Sequence, residues 1–541
     1  MFSDVRSVFM QVIGTGPARD WWSTRHRRSA PPSAEDPGGI IMTIGCRLYG
    51  PQPARALESS ATQDRRPLFA RLAEAMKDAR RDAPDDNPRI PSGYTYLAQF
   101  AAHDLVFSGV TRPRLGDPGQ APSAPISPEH ANSALDLGSL YGPGPDIRPE
   151  LYQPAGRMPR TRLALAPMPD TERSFLSRAA WTSTAPQGPE FCVLPRLVAQ
   201  LPEMTAVTAD PRNNLHYLIS QVTVLFACVH NAVVDRVEAR EPAGSYDGAR
   251  VLATARTIVL AAYRDIILHD FLARLLDDAT HARVVDACAR ASFDGLRLLG
   301  SGSVDAPVSR AFASAAYRVG HTMARGHYAL SAQFAENKPA SLSRLISLAA
   351  EPSAPARIWS LEWDRFFFDD TAPRTPDGRL RNFSHLIKPG INLTLHDEGF
   401  FPGDDGVGRG LAYRDMVRCA ADGMDDTDAF VAARMPGVAL LEPAAREALL
   451  AERLPGLDAA DRAALAARMP LALYVLLEAQ HAGGHHLGPV ASAIVGEVFG
   501  AGLIESEAET ARGRALWRDI LGQEAPRRMT GLLSFLRTQT H

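Results

Sequence analysis

Cysteine is scarce: the 541 residues hold five, at Cys46, Cys192, Cys228, Cys288 and Cys419. An odd count without C-x-x-C spacing speaks against a disulfide scaffold and against a thiolate zinc site, and a reducing, cytoplasmic setting is expected. A strong charge of either sign is also missing. With 58 Lys and Arg against 61 Asp and Glu the formal charge is -3, which leaves no electrostatic footprint for nucleic acid or an anionic membrane. No stretch approaches the roughly 20 uninterrupted apolar residues of a membrane helix. The apolar run 8–13 is broken by Gly14 and Gly16, and Arg27-Arg28 is followed by Ser-Ala-Pro-Pro-Ser rather than an apolar segment, so no export signal is expected. Continuous β-alternation is scarce too, and no internal repeat is visible.

What is present is helix. Hydrophobic residues make up 45 % and charged residues 22 % of the chain, a globular composition with ample material for a core. The segment 68–80, LFARLAEAMKDAR, after Pro67, is apolar at i, i+3, i+4 spacing, as are 214–238, 249–276, 308–329 and 471–482; each predicts a helix. Pro- and Gly-rich connectors at 111–128, 142–160 and 399–409 are too short to part independent domains. The reading is mainly α with little β: a large single helical domain over 61–541, preceded by an amino-terminal arm or extension over 1–60.

Four segments carry residues with chemical potential. In GYTYLAQFAAHDLVF, 93–107, Gln99 and His103 fall one helical turn apart on a shared face, with Asp104 about 100° further round. The plainer reading is a buried, hydrogen-bonded histidine. In ADPRNNLHYLISQ, 209–221, Pro211 opens a helix and Arg212 sits in its first turn, where its charge opposes the helix dipole and needs a compensating partner. It is either a surface arginine or one held beside an anion or polarised oxygen. In FASAAYRVGHTM, 312–323, His321 lies on an apolar helix with Arg318 three residues before it. Gly320 lets something bulky approach the backbone, and a haem axial histidine has such a setting, although a core histidine is the commoner case. In GLAYRDMVRCAADG, 410–423, Asp415 and Arg418 share a helical face.

Taken in order, these strings resemble the animal-type haem peroxidases, the superfamily of myeloperoxidase and the cyclooxygenases, and most closely its bacterial members. DNPRIPSGYTYLAQFAAHD, LDLGSLYG, DPRNN, YRVGHTM and PLALYVLLEA follow family order from about residue 86 to 535, and the spacing of Arg212 to His230-Asn231 matches as well. The resemblance implies a haem peroxidase fold and an enzyme that reduces hydrogen peroxide through a ferryl intermediate while oxidising a small organic or halide donor. His103 resembles the distal base, Arg212 the distal arginine, Gln99 the distal glutamine and His321 the proximal iron ligand. Arg318, Asp415 and Arg418 join the cofactor-binding set.

Departures from the family pattern refine this. The positions that supply haem esters in relatives hold Ala102 and Leu215, and His216 stands where a sulfonium-forming methionine could. Haem b is therefore expected to be non-covalent. Asp415 replaces the usual asparagine partner of the proximal imidazole; as a carboxylate it would make His321 a stronger donor, unless it pairs with Arg414 or Arg418 instead. The resemblance also implies a structural calcium. Asp104 and Asp136 match two carboxylate ligands, Asn132 and the Ala134 carbonyl could add oxygens, and Gly138 replaces a hydroxyl ligand, a thin set for an ion that takes six to eight oxygens. Otherwise Asp136 caps a turn. The tract HAGGHHLGP, 481–489, is expected to end a helix at its glycines rather than to bind metal. Two other functions stay open: a cyclooxygenase-like fatty-acid dioxygenase, against which Arg318 stands where that chemistry needs a tyrosine, and an inactive haem-binding sensor or scaffold.

Overall fold

Apolar periodicity without internal proline prescribes most of the helices, and the chain adopts them. The computed structural model describes residues 60–78, 86–108, 129–131, 135–154, 160–170, 189–196, 206–242, 245–296, 306–335, 337–351, 354–396 and 406–539. The arm expected over 1–60 falls, except for Ser60, outside the described residues, as do Asn132 and Ala134. Helix takes 60 % and strand 7 %, so the fold is mainly α, as expected.

The chain runs through α1 (Ser60–Ala75), α2 (Gly93–Leu105) and the single turn α3 (Gly138–Tyr141) to two long helices, α4 (Tyr217–Glu238) and α5 (Gly248–Ile266). A π-turn, Ile267–Phe271, leads into α6 (Leu272–Leu275), then α7 (Asp278–Ala289), α8 (Phe293–Leu296), α9 (Ala306–Ser314) and α10 (Leu342–Ala350). After an irregular stretch come α11 (Gly410–Ala421), α12 (Thr427–Arg434), α13 (Pro443–Arg453), α14 (Ala459–Ala467) and α15 (Leu471–His481). The chain closes with α16 (Pro489–Glu505), α17 (Glu507–Leu521) and α18 (Met529–Gln539).

The core is built around α4, α5 and α17. α4 is long and apolar enough to cross a membrane, but 89 % of its most apolar window is buried within the fold, and its apolar surface is core. α17 packs along α5 because Gly513 has no side chain: a Cβ there would stand 2.4 Å from the Thr257 carbonyl oxygen. His230 and Asn231, on the same helix as the core residues Val229 and Val233, serve as staples. His230 bonds Tyr141 Oη at 3.1 Å and the Thr161 carbonyl at 2.8 Å. Asn231 bonds both backbone groups of Leu163.

Small ribbons aim the helices that matter for function. The strand Asp86–Pro91 pairs antiparallel with Phe383–His385 and feeds α2. At the start of α2, the Gly93 amide donates to the Phe366 carbonyl at 3.0 Å. A Cβ at Gly93 would lie 2.5 Å from that oxygen, so the approach requires glycine. Lys77–Asp78, after α1, pairs in parallel with Ile391–Asn392, and α1 packs on α11.

Two expected helices differ. The first begins at Ser60 and ends at Ala75, with Pro67 inside it rather than ahead of it; Lys77 then leaves for its ribbon. The second, expected over 308–329, stops at Ser314. Ala315 takes φ -137°, ψ -75°, and Ala316–His321 form a 3-10 turn. With three residues per turn, Arg318 and His321 stand one above the other. Beyond it the Met323 carbonyl accepts from the His385 amide at 2.9 Å, which pulls the chain out of helical geometry.

Candidate active site

α2 is buried along almost its whole length; within Gly93–Leu105 only Gln99, Ala102 and His103 keep partial exposure. These three share one face near its carboxyl end, and beside it lie His216, bonded to Gln99, and Asn213 and Arg212, bonded to His103. Arg212, Leu215 and His216 ahead of α4, and Arg318, Gly320 and His321 on the 3-10 turn, are also partly exposed, and a cavity opens beside Arg318 and His321, lined also by Met76, Thr322, Ile391 and Asp415. Tyr317 Oη donates to the Ala98 carbonyl at 3.1 Å and so ties that turn to α2.

His103 has one ring nitrogen committed. Its Nδ1 stands 2.7 Å from Asn213 Oδ1, while Asn213 Nδ2 donates to the Ser139 carbonyl at 3.0 Å. With the amide nitrogen used there, Asn213 turns its oxygen to the imidazole. Nδ1 therefore carries the proton and Nε2 keeps its lone pair. Burial, reinforced by the neighbouring Arg212 charge, pulls the His103 pKa down to about 4, so the ring is a neutral base at ordinary pH.

Arg212 lies in the 3-10 turn Pro211–Asn214, capped by Asp210 Oδ1, which accepts the Arg212 amide at 2.8 Å. Its compensating partner is the same carboxylate: Nη2 reaches Asp210 Oδ2 at 2.6 Å and Nε lies 3.0 Å from it. The guanidinium also donates to the carbonyls of His103 and Val106, at 2.8 and 2.7 Å. Arg212 thus grips the carboxyl end of α2 and holds a positive charge beside His103. Most of its five donors are directed at protein oxygens.

Gln99 Oε1 meets His216 Nε2 at 2.7 Å. His216 is the N-cap of α4, with Nδ1 accepting the Ile219 amide at 3.3 Å, and the Tyr96 ring stands edge-on to it at 5.0 Å. Burial, then the nearby His103, holds its pKa at about 3.

On the 3-10 turn, His321 Nδ1 lies 2.6 Å from Asp415 Oδ2. Asp415 projects from α11, buried, and Arg318 Nε is 4.0 Å from its other oxygen. The partners of Asp415 are thus His321 and Arg318, not Arg414 or Arg418. Arg318 also donates to the Ala313 carbonyl at 2.7 Å. Arg418 sits half-buried one turn along α11. With Nδ1 occupied, Nε2 is the His321 nitrogen left to bind a metal. A Cβ built on Gly320 meets nothing within 4 Å, so the space beside His321 is open.

The sequence profile described as animal haem peroxidase matches residues 96–369, just over half of the chain. This chain belongs to the animal haem peroxidase family. Heme peroxidase 2 of Caenorhabditis elegans is 24 % identical over 306 residues, which cover 54 % of this chain and 38 % of that protein. The chain thus spans well under half the length of this relative. Among solved structures, peroxidase A from Dictyostelium discoideum superposes with a TM-score of 0.53 at 14 % identity, over 87 % of this chain and 89 % of that one. A fatty acid alpha-dioxygenase from Oryza sativa does so with a TM-score of 0.52 at 12 % identity, over 88 % and 80 %. These likenesses establish the peroxidase fold. Haem is the cofactor typical of the family, and the residues present fit it: His103 and His321 each keep one ring nitrogen uncommitted, and open space lies beside Gly320. The profile match takes in Gln99, His103, Arg212 and His321 but ends before Asp415.

This member of the family also places a buried carboxylate, Asp104, near the partly exposed Asp136 behind α2. Asp104 Oδ2 accepts the Leu137 amide at 3.0 Å, whereas its Oδ1 and the Ser139 hydroxyl are buried without a partner. Asp136 Oδ1 accepts the Gly138 amide at 2.9 Å, and its Oδ2 lies 3.6 Å from Arg256. Asp136 therefore does cap the turn that starts α3. Burial, then Asp136, pushes the Asp104 pKa up to about 7. The orphaned oxygens suit a cation; Asn132 and Ala134, the remaining expected ligands, lie outside the described residues. At the other tract, Gly483 and Gly484 take positive φ, 93° and 75°, and end α15.

Reading the sequence alone missed Asn213, Asp210 and Ser139 as parts of the distal wall. The string DPRNN held a signal for two of them, since an Asp two residues before a first-turn arginine can cap that turn and pair with the arginine, and an Asn directly after it can reach a neighbouring helix. Ser139 had none.

Proposed function

We propose that this protein is a haem-dependent peroxidase that reduces hydrogen peroxide and oxidises a small organic or halide donor. The observation that carries the reading is His103, a neutral imidazole held by Asn213 in the tautomer that leaves Nε2 as acceptor; in this reading it and His321 face each other across the haem slot. His321 Nε2 would hold haem b, with Asp415 polarising its imidazole; Arg318 and Arg418 are the guanidinium groups on that side suited to the cofactor's carboxylates. Ala102 and Leu215 offer no ester, so the cofactor is held without covalent links.

Bound haem would supply an iron at which the peroxide O–O bond is cleaved. His103 Nε2 takes a proton from the inner oxygen of hydrogen peroxide and returns it to the outer one, which leaves as water. General acid–base help of this kind is worth about 10²–10⁴-fold. Arg212 contributes a fixed positive charge next to this transfer and holds α2 so that His103 faces the slot. Gln99 orders the polar atoms around the peroxide. Overall, a donor that gives up two electrons and two protons balances the reduction of one peroxide to two waters.

A lipid dioxygenase of the cyclooxygenase kind is disfavoured by the 3-10 turn. Arg318 occupies the position three before His321, and Tyr317 is packed between Phe312 and Phe499, at ring distances of 4.6 and 5.5 Å. A calcium ion on Asp104 and Asp136 is part of the proposal.

The test is stopped-flow absorbance of haem-loaded protein mixed with hydrogen peroxide, wild type beside His103→Ala and His321→Ala. A rapid change in the haem spectrum, slowed about 10²–10⁴-fold in His103→Ala, with the Soret band lost or shifted in His321→Ala, supports the peroxidase. Wild-type protein that binds haem yet leaves peroxide unreacted would point instead to a sensor or scaffold.

A further inference from the structure

The side chain at the head of α4 is an unusual choice. N-caps are ordinarily Ser, Thr, Asp or Asn, whose short side chains reach the first-turn amides. His216 performs the cap with Nδ1, accepting the Ile219 amide at 3.3 Å, from an extended backbone with φ -152° and ψ 164°. A serine would do this with less bulk. The imidazole does something more: its far nitrogen lies 2.7 Å from Gln99 Oε1.

The two contacts fix each other. A neutral imidazole has one donor and one acceptor nitrogen. Since Nδ1 accepts from a backbone amide, the proton resides on Nε2, which then donates to the Gln99 oxygen. Tyr96, edge-on at 5.0 Å, holds the ring in that plane. Gln99 Nε2 makes no hydrogen bond to any described residue, and Gln99 is one of only three residues of α2 with partial exposure.

We propose that His216 is a positioning residue for the distal slot: by holding Gln99 Oε1 it turns the glutamine amide so that its N–H donors face the space beside His103. The slot then offers a donor from Gln99 and an acceptor, Nε2, from His103. Small ligands that accept a hydrogen bond, fluoride among them, would find a donor in that amide once haem is bound, and amide inversion is prevented because the carbonyl is already bonded. This deepens the haem peroxidase reading and rests on it only where ligand binding is concerned.

Two measurements separate the parts. His216→Ser keeps a favoured N-cap and removes the bond to Gln99. In full-length protein selectively labelled with ¹⁵N-glutamine, the Gln99 side-chain amide signal, assigned by its loss in Gln99→Ala, shifts in His216→Ser. In haem-loaded protein, fluoride titration followed in the visible spectrum gives about tenfold weaker binding in His216→Ser, about the same in Gln99→Ala, and no further loss in the double variant. An unmoved Gln99 signal, or fluoride affinity lost in Gln99→Ala but kept in His216→Ser, overturns the proposal. A shifted amide signal in protein that takes up no haem upholds the positioning and sinks the haem reading instead.

Discussion

Asn213 offers the sharpest test of how the slot acquires its base. Its Oδ1, 2.7 Å from His103 Nδ1, decides which imidazole nitrogen is left to take a proton. Asn213→Ala leaves a buried N–H without its acceptor and allows the ring to exchange tautomers or turn. Losing such a bond costs about 1–3 kcal/mol, which is about 5- to 150-fold in the rate of reaction with peroxide. Asn213→Asp keeps the oxygen and adds a negative charge. An opposite charge at this range raises a histidine pKa by about 1–3 units, from the wild-type value of about 4. The signs follow from the need for a neutral base. Wild-type rate should hold steady from pH 8 down to pH 5 and fall only as the pH drops through about 4. Asn213→Asp should fall at distinctly higher pH, somewhere about 5 to 7. Stopped-flow rate constants against pH for the three proteins measure both effects. If Asn213→Ala reacts like wild type and Asn213→Asp keeps its acid limb near pH 4, the tautomer argument is wrong and His103 is not set up by Asn213.

Other consequences are open to measurement. Glu478, in α15, accepts the Val490 amide with both oxygens, and burial raises its pKa to about 7. A carboxyl raised in the folded state carries no penalty below its unfolded pKa and the full penalty above its folded one. Glu478→Gln should therefore match wild type in urea unfolding at pH 4 and exceed it by up to about 3 kcal/mol at pH 8; equal stability at both pH values would refute this. Asp104, pushed up to about 7, likewise costs the cation-free protein stability as pH rises towards 7. Calcium should remove that slope and stabilise the fold by about 2.7 kcal/mol at a hundredfold excess over Kd, read as a raised Tm, in wild type but not in Asp104→Asn; an unmoved wild-type Tm would dismiss the site. Asp415→Asn should keep an acceptor for His321 Nδ1 but lose the charge-assisted character of the 2.6 Å bond. The reduction potential of the loaded protein, followed by spectroelectrochemistry, should move upward, and a downward move would contradict the argument. Acid-organic extraction should strip haem completely, because Ala102 and Leu215 cannot anchor it.

The fold and the chemistry were legible to different degrees. Helical periodicity depends on local spacing, so α2, α4, α5 and α15 lie close to where their patterns put them. The expected helix through His321 failed for a reason that local spacing does not contain: the chain must turn towards Phe383–His385 after the site, and Ala315 and the tight turn beyond it are set by that long-range tie. Gln99 and His103 were recognised because they recur within one helix. Asn213 and Ser139 were not, since an asparagine acquires meaning here only when its amide spans from one segment's carbonyl to another's imidazole. Arg212 was legible as a charge requiring a partner, but that the partner is Asp210, and that its other donors grip α2, was not.

By itself, then, the sequence determined the helical class, the family resemblance and the residues proposed to act on peroxide, because these reside in periodicity and in short ordered motifs. Only the tertiary structure decided the protonation and direction of those groups. Whether His103 is a base, which way the Gln99 amide points, and whether Asp415 serves His321 or an arginine all depend on burial and on partners that lie from 94 to 117 residues away along the chain, and tautomers and amide orientations are set by contact, not by composition.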